Sequence, residues 1–237
     1  IDACLVGSEM CIRDRLRVVP VSGRRSEEAV VDTNSSKEVK DGDLVEVEIQ
    51  QARSFGLKQA KVINVLSHEN DQNLISLISI NEFDIPTEFT PEAISLAEQA
   101  QPVKISKGRE DLRDINLITV DGDDARDFDD AIWAEKDKNP HNLNGWRMIV
   151  AIADVAHYVS NGDPLDIDAR KRGNSVYFAD RVVPMLPENL SNGLCSLKPN
   201  EDRGCLAVEI TIDKFGHKKS HRFIRGVMRS KARLTYE

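Results

Sequence analysis

ITVDGDDARDFDDAIWAE, residues 118–135, sets six aspartates (Asp121, Asp123, Asp124, Asp127, Asp129 and Asp130) between two short runs in which apolar residues alternate with polar ones. The flanking runs read as strands, so the acids fall on a connection inside a sheet. Like charges a few ångströms apart repel and raise each other's pKa, and such crowding calls for positive compensation. Oxygen donors with no His or Cys nearby select a hard cation, and magnesium takes one or two carboxylates together with water and substrate phosphates. That donor set suits metal-assisted phosphoryl transfer, in which two ions roughly 3.5–4 Å apart serve the attacking and leaving oxygens. A calcium loop counted from Asp121 needs Gly at its sixth position and Glu at its twelfth, where this chain has Arg126 and Ile132. A solvated acidic turn is the bland alternative. Against it, Phe128, Ile132 and Trp133 interleave with the acids and tie part of the cluster to an apolar interior.

Outward from the cluster, INLITV (115–120), AIWAEK (131–136), WRMIVAIAD (146–154), CLAVEITID (205–213) and SHRFIRGVM (220–228) read as strands, the last two joined by a hairpin at KFGH. PLDIDARKRG (164–173) reads as a helix ending at Gly173. This half, 111–237, is α+β. Before it, residues 68–110 form a connector containing TPEAISLAEQA (90–100), whose Thr90, Pro91 and Glu92 have helix-start chemistry. LRVVPV, EAVVDT, DLVEVEIQQA and KQAKVINVL, within residues 16–67, alternate over short runs separated by Gly, Asn, Asp and Ser, and read as a small antiparallel β-barrel of the oligonucleotide-binding kind. With only Phe55 to stack a base, this barrel is as good a spacer as a binder. Residues 1–15 match nothing that follows; SEMCIRDR looks like a foreign scar, and this segment is set apart as non-native or unordered.

The net charge of −8 is uneven. Residues 1–100 hold 10 Lys and Arg against 18 Asp and Glu, while 101–237 hold 22 of each. Residues 203–237 carry nine Lys and Arg against three acids, so an acidic pocket and a basic surface are both expected. Cys4, Cys11, Cys195 and Cys205 follow no zinc or redox spacing and read as buried or idle thiols. No apolar run reaches the roughly 18–20 residues that span a bilayer, and a cytoplasmic location is the default expectation.

Four ordered segments, DLRDINLITVDGDDARDFDDAIWAE, GWRMIVAIADVAHYV, LDIDARKRGNSVYFADRVVPMLPENLSNGLCSL and MRSKARLTYE, resemble the catalytic domain of the ribonuclease II/ribonuclease R family, with the ribonuclease R branch nearer. The preceding residues are similar to its second cold-shock barrel and linker. The resemblance implies an exoribonuclease that uses Mg2+ to release nucleoside 5′-monophosphates from the 3′ end of single-stranded RNA, or of RNA with a 3′ overhang, in a monomeric parent enzyme. By the same resemblance Asp121, Asp127, Asp129 and Asp130 are the catalytic, metal-binding carboxylates, with Asp121 and Asp130 on the principal ion and Asp127 and Asp129 on the second ion and the attacking water. Tyr177 corresponds to a tyrosine that packs on the 3′ nucleotide, although a core aromatic on a strand is its alternative. Tyr236 corresponds to one that distinguishes ribose from deoxyribose. The family's phosphate-holding arginine and its later RNA-binding barrel have no counterpart here, so the chain is expected to be part of a longer enzyme, inactive alone, with the apolar faces of WRMIVAIAD and CLAVEITID partly uncovered. The rival reading is a noncatalytic RNA-binding module whose acidic loop is structural; dependence on metal separates the two.

Overall fold

A computed structural model describes residues 2–7, 15–21, 28–32, 39–54, 56–68 and 73–236. The chain divides into two compact units, Ile1–Glu88 with Val176–Val183, and Phe89–Ser175 with Pro184–Glu237.

In the first unit β1 (Asp2–Gly7), β2 (Arg15–Pro20), β3 (Ala29–Asp32), β4 (Leu44–Ser54) and β5 (Leu57–Ser67) form a closed barrel in the order β1-β2-β3-β5-β4. Alternation along the strands turns Val18, Val31, Val45, Val47 and Ala60 inward with Cys4. Two features differ from the sequence reading. The barrel is not wholly antiparallel, because β3 and β5 pair in parallel. Asp2–Gly7, inside the segment set apart as foreign, pairs with both β2 and β4 and closes the barrel. The strand was missed because six residues flanked by an unfamiliar sequence offer too little alternation to read. The rest of that segment up to Asp14, with Cys11, lies outside the described residues, as does Phe55. A helix, α1 (Leu74–Glu82), follows, and its Ser76 hydroxyl donates to Asp180 at 2.8 Å in the turn between β10 (Val176–Tyr177) and β11 (Val182–Val183).

The second unit is built on a seven-stranded sheet of β6 (Glu110–Asp111), β7 (Ile118–Asp121), β8 (Asp130–Lys136), β9 (Trp146–Ala153), β12 (Asp202–Ile212), β13 (Lys218–Arg229) and β14 (Ala232–Thr235). Its order is β14-β7-β8-β9-β12-β13-β6, antiparallel except for the outermost pairs β14/β7 and β13/β6. Ala131, Ile149, Ala151, Ala207 and Ile224 share the face that meets the core, alongside Ala93, Ala97 and Leu165 from two helices. Those helices are α2 (Pro91–Glu98) and α3 (Pro164–Arg172), so Phe89 to Glu110 belongs to this unit and is not a free connector. As expected from its start signals, α2 is capped by Thr90, whose hydroxyl accepts from Ala93 N; the same hydroxyl and the Thr90 N–H donate to the buried Asp168 of α3 at 2.9 and 2.8 Å. Asp163 caps α3, and Gly173 ends it at φ 76°, where a side chain would be strained. On the opposite sheet face Ile152 and Leu206 are 47% and 48% exposed, in line with the expected uncovered apolar strands.

At one edge of that face Asp154, its carboxylate closed to solvent, accepts from Arg109 Nη2 at 2.6 Å and Arg225 Nε at 2.7 Å. Burial pushes its pKa up, but the hydrogen bonds and charges of the two arginines outweigh it and hold the carboxyl below the ordinary Asp value. A depressed folded-state pKa contributes stability that is complete above the unfolded value of about 3.9 and drains as pH falls toward the folded one. Asp154→Asn leaves Arg109 uncompensated and should cost about 3 kcal/mol at neutral pH, the low end for a broken buried pair because Arg225 is half exposed. Denaturant midpoints of the two proteins should converge as pH falls below about 4; a gap that stays constant would remove Asp154 from the acid response.

Candidate active site

The six aspartates lie on the connection from β7 to β8. Asp121 ends β7 and its carboxylate accepts from Gly122 N at 2.9 Å, while Ala125 N donates to Gly122 O at 3.2 Å, turning the chain out of the sheet. The return is fixed more tightly. Phe128 is buried in the main core; its N–H donates to Ser196 Oγ at 3.0 Å and its carbonyl accepts from Leu197 N at 2.8 Å. Ser196 Oγ donates to Arg126 O at 2.9 Å, and Asp129 O accepts from Ala153 N at 2.9 Å. Ser196 is itself fully buried, carried past the single π-helical turn Leu190–Leu194, in which Cys195 N reaches back to Leu190 O at 2.8 Å. Backbone anchors at Arg126, Phe128 and Asp129 therefore fix the chain that carries Asp127, Asp129 and Asp130.

Electrostatics sort the six acids. The Asp129 carboxyl is pushed above the usual range, first by its partial burial and then by the charges of Asp127, Asp121 and Asp130. These are the four residues assigned from the sequence, and each is close enough to Asp129 to raise it. By solvent accessibility Asp123, Asp124, Asp129 and Asp130 are all exposed, so it is the surrounding protein and not full enclosure that bears on Asp129. Among the described residues no three His, Cys, Asp or Glu side chains form a preformed metal cage. Oxygen-only donors whose charges reinforce one another, on a loop open to solvent, fit a hydrated magnesium better than a fully coordinated calcium or zinc.

The two tyrosines are placed differently. Tyr236 directly follows Thr235, which pairs with Asp121 across β14/β7, and it is 77% exposed at the same strand end as the acids. Tyr177 is on β10, in the first unit, and at 61% exposure it is not a core aromatic. The basic surface is thinner than the composition suggests. Arg222 pairs with Glu209 and Glu110, Arg225 with Asp154 and Arg229 with Asp202, because the strands beside β13 present carboxylates to it. Lys218 and Lys219 remain exposed. Burial pushes the Cys195 thiol up to about 12 and that of Cys205 to about 11, which agrees with idle cysteines. Two residues that touch the acidic loop, Ser196 and Arg233, carried no assigned role in the sequence. Both lie in segments that resemble the family, but their contacts span 68 to 111 positions.

Comparison with known proteins bears on what this loop does. The model of the RNB domain matches residues 109–237, and that of a cold shock domain matches 18–90. Ribonuclease R of Vibrio parahaemolyticus is 44% identical over 226 residues, which cover 92% of this chain and 26% of that protein. The chain thus spans about a quarter of such a relative. A solved structure described as Mycoplasma genitalium RNase R in complex with ribose methylated single-stranded RNA has a TM-score of 0.83 at 27% identity, covering 99% of this chain and 37% of that one. Yeast Ssd1, a pseudonuclease, shares the fold at a TM-score of 0.65 and 15% identity, covering 99% of this chain and 30% of its own.

Proposed function

The chain belongs to the RNB-domain family that includes ribonuclease R, and on that footing we propose that it is the second cold-shock barrel and first catalytic segment of a 3′-to-5′ exoribonuclease. The observation that carries this reading is Asp129, whose carboxyl is pushed up first by burial and then by the nearby charges of Asp127, Asp121 and Asp130.

In this reading Asp121 and Asp130, at the facing ends of β7 and β8, hold the principal magnesium, while Asp127 and Asp129 serve the second ion and orient the attacking water. When bound, magnesium supplies a water nucleophile at neutral pH and charge to stabilise the leaving oxygen. The backbone bonds of Phe128 and Asp129 fix the stretch of chain from which these carboxylates project. Asp129, raised by burial and by its neighbours, accepts a proton or a cation more readily than an isolated carboxylate does. Tyr177 stacks on a terminal nucleotide without regard to base, a contact of about 1–3 kcal/mol. Tyr236, at the strand end beside Asp121, reads the ribose 2′-hydroxyl. The substrate is single-stranded RNA, or RNA with a 3′ overhang, cut to nucleoside 5′-monophosphates in the cytoplasm by a monomeric parent enzyme.

A noncatalytic RNA-binding module is the second reading, since the fold is shared with a protein described as a pseudonuclease as well as with RNase R. Fold alone does not choose between them. The full-length protein acting on RNA labelled at either end does. Early release of labelled mononucleotide from the 3′ label alone, lost on chelation of divalent metal, is the expected result. Asp129→Asn should lower the rate by 10²-fold or more (roughly, as for a displaced catalytic group) with RNA affinity kept or improved. Metal-independent binding without cleavage supports the module instead.

Tyr177→Ala in the same protein should lengthen the last undegraded oligonucleotide, since fewer contacts then hold a short 3′ end at the carboxylates. An unchanged end product removes Tyr177 from the RNA path.

A further inference from the structure

Arg233 plays no part in the mechanism above, yet it touches both ends of the acidic loop. Its Nη2 donates to Gly122 O at 2.9 Å and also to Asp123 O, immediately after Asp121. Its guanidinium carbon lies 5.1 Å from the centre of the Phe128 ring, immediately before Asp129. The stem cannot drift, because β14 is paired to β7 with Arg233 opposite Thr119 and Thr235 opposite Asp121. Its Nε is closed off from solvent without a partner, so the group is folded against the loop and not extended into water.

A solvated arginine would not give both hydrogens of one nitrogen to backbone carbonyls. A phosphate ligand would present the edge of its fork outward. Here Nη2 is turned to the carbonyls of Gly122 and Asp123 while the guanidinium carbon sits over Phe128, whose N–H and carbonyl are already held by Ser196 and Leu197. The exit of the loop is thus pinned to the core, and Arg233 ties the entry to the exit. We propose that Arg233 is a positioning residue: it holds Asp121 in register with Asp129 and Asp130 against their mutual repulsion, so that the carboxylates share a divalent cation, and it makes no contact with RNA phosphate. The inference rests on the reading of those aspartates as the metal ligands. Geometry, not charge alone, is what it asks of the side chain. A lysine supplies the charge, but it is a strongly hydrated point donor that neither lies flat on a ring nor offers a rigid fork.

The test uses the full-length protein without RNA and Mn2+ alone as the probe, with free Mn2+ read by electron paramagnetic resonance. Wild type, Arg233→Lys, Arg233→Met and Asp129→Asn are compared. Both Arg233 variants should bind Mn2+ about 10–100-fold more weakly than wild type, the usual effect of losing a group that orients a metal ligand. Their affinity for RNA in the absence of metal should stay within about twofold. The salt dependence of that affinity should keep its slope, whereas loss of a phosphate contact lowers it by about one. Wild-type Mn2+ affinity in Arg233→Met, its restoration in Arg233→Lys, or a reduced salt slope in Arg233→Met would each overturn the proposal. If Arg233→Met does not fold, Phe128→Leu, which removes the ring beneath the guanidinium, must weaken Mn2+ in the same direction. A wild-type protein that binds no Mn2+, or Asp129→Asn binding it as wild type does, overturns the metal-site reading itself and the clamp with it.

Discussion

Four carboxylates that repel one another are held on a single short connection, and the local structure of the second unit is organised around that constraint. Burial first, and then the charges of Asp127, Asp121 and Asp130, push the Asp129 carboxyl above its ordinary value. Left to itself, an eight-residue connection would splay and let its charges separate into solvent. It is prevented by bonds to the backbone: Ser196 and Leu197 on Phe128, Ala153 on Asp129, Arg233 on Gly122 and Asp123. Charge-assisted and buried hydrogen bonds of this sort contribute roughly 0.5–3 kcal/mol each, enough together to oppose screened repulsion among partly exposed carboxylates. In the proposed reading, a chain fixed in this way would leave only the carboxylate side chains to rearrange around a cation, which lowers the cost of binding it.

Most of the framework was legible in the sequence because it follows from local rules. Alternation gave β4, β5, β8, β9, β12 and β13 close to their observed limits, capping chemistry gave α2 at Thr90–Pro91, and Gly173 gave the end of α3, whose cap Asp163 was not read from the sequence. What escaped is long-range. The strands β6 and β14 exist only because a distant partner pairs with them, in parallel, while β10 and β11 pair with each other but are two residues each, too short for alternation to show. Nothing in the composition of Asp2–Gly7 marks it as the strand that closes a barrel. Likewise the basic tail looked free because charges were counted along the chain, whereas pairing is decided across strands, where Glu209, Glu110, Asp154 and Asp202 face Arg222, Arg225 and Arg229.

The candidate site was legible for a different reason. Crowded aspartates are chemically conspicuous, and their meaning depended on three further segments that follow in the family's order. The sequence could not separate working carboxylates from bystanders by physics alone; that separation came from resemblance, and the structure adds that the charges of Asp121, Asp127 and Asp130 all bear on Asp129. Ser196 and Arg233 were beyond reach, since a serine and an arginine are unremarkable until the chain brings them 68 to 111 positions back onto the loop.

The claim on which all of this depends is that the β7–β8 loop is a cation site held together in advance. Hydrogen–deuterium exchange of the peptide covering residues 118–130 in the full-length protein, with and without magnesium at fixed ionic strength, addresses it directly. Slower exchange on adding magnesium in the wild type, and no change in Asp129→Asn, is the result this account predicts. Exchange that ignores magnesium, or that slows equally in both proteins, would contradict it.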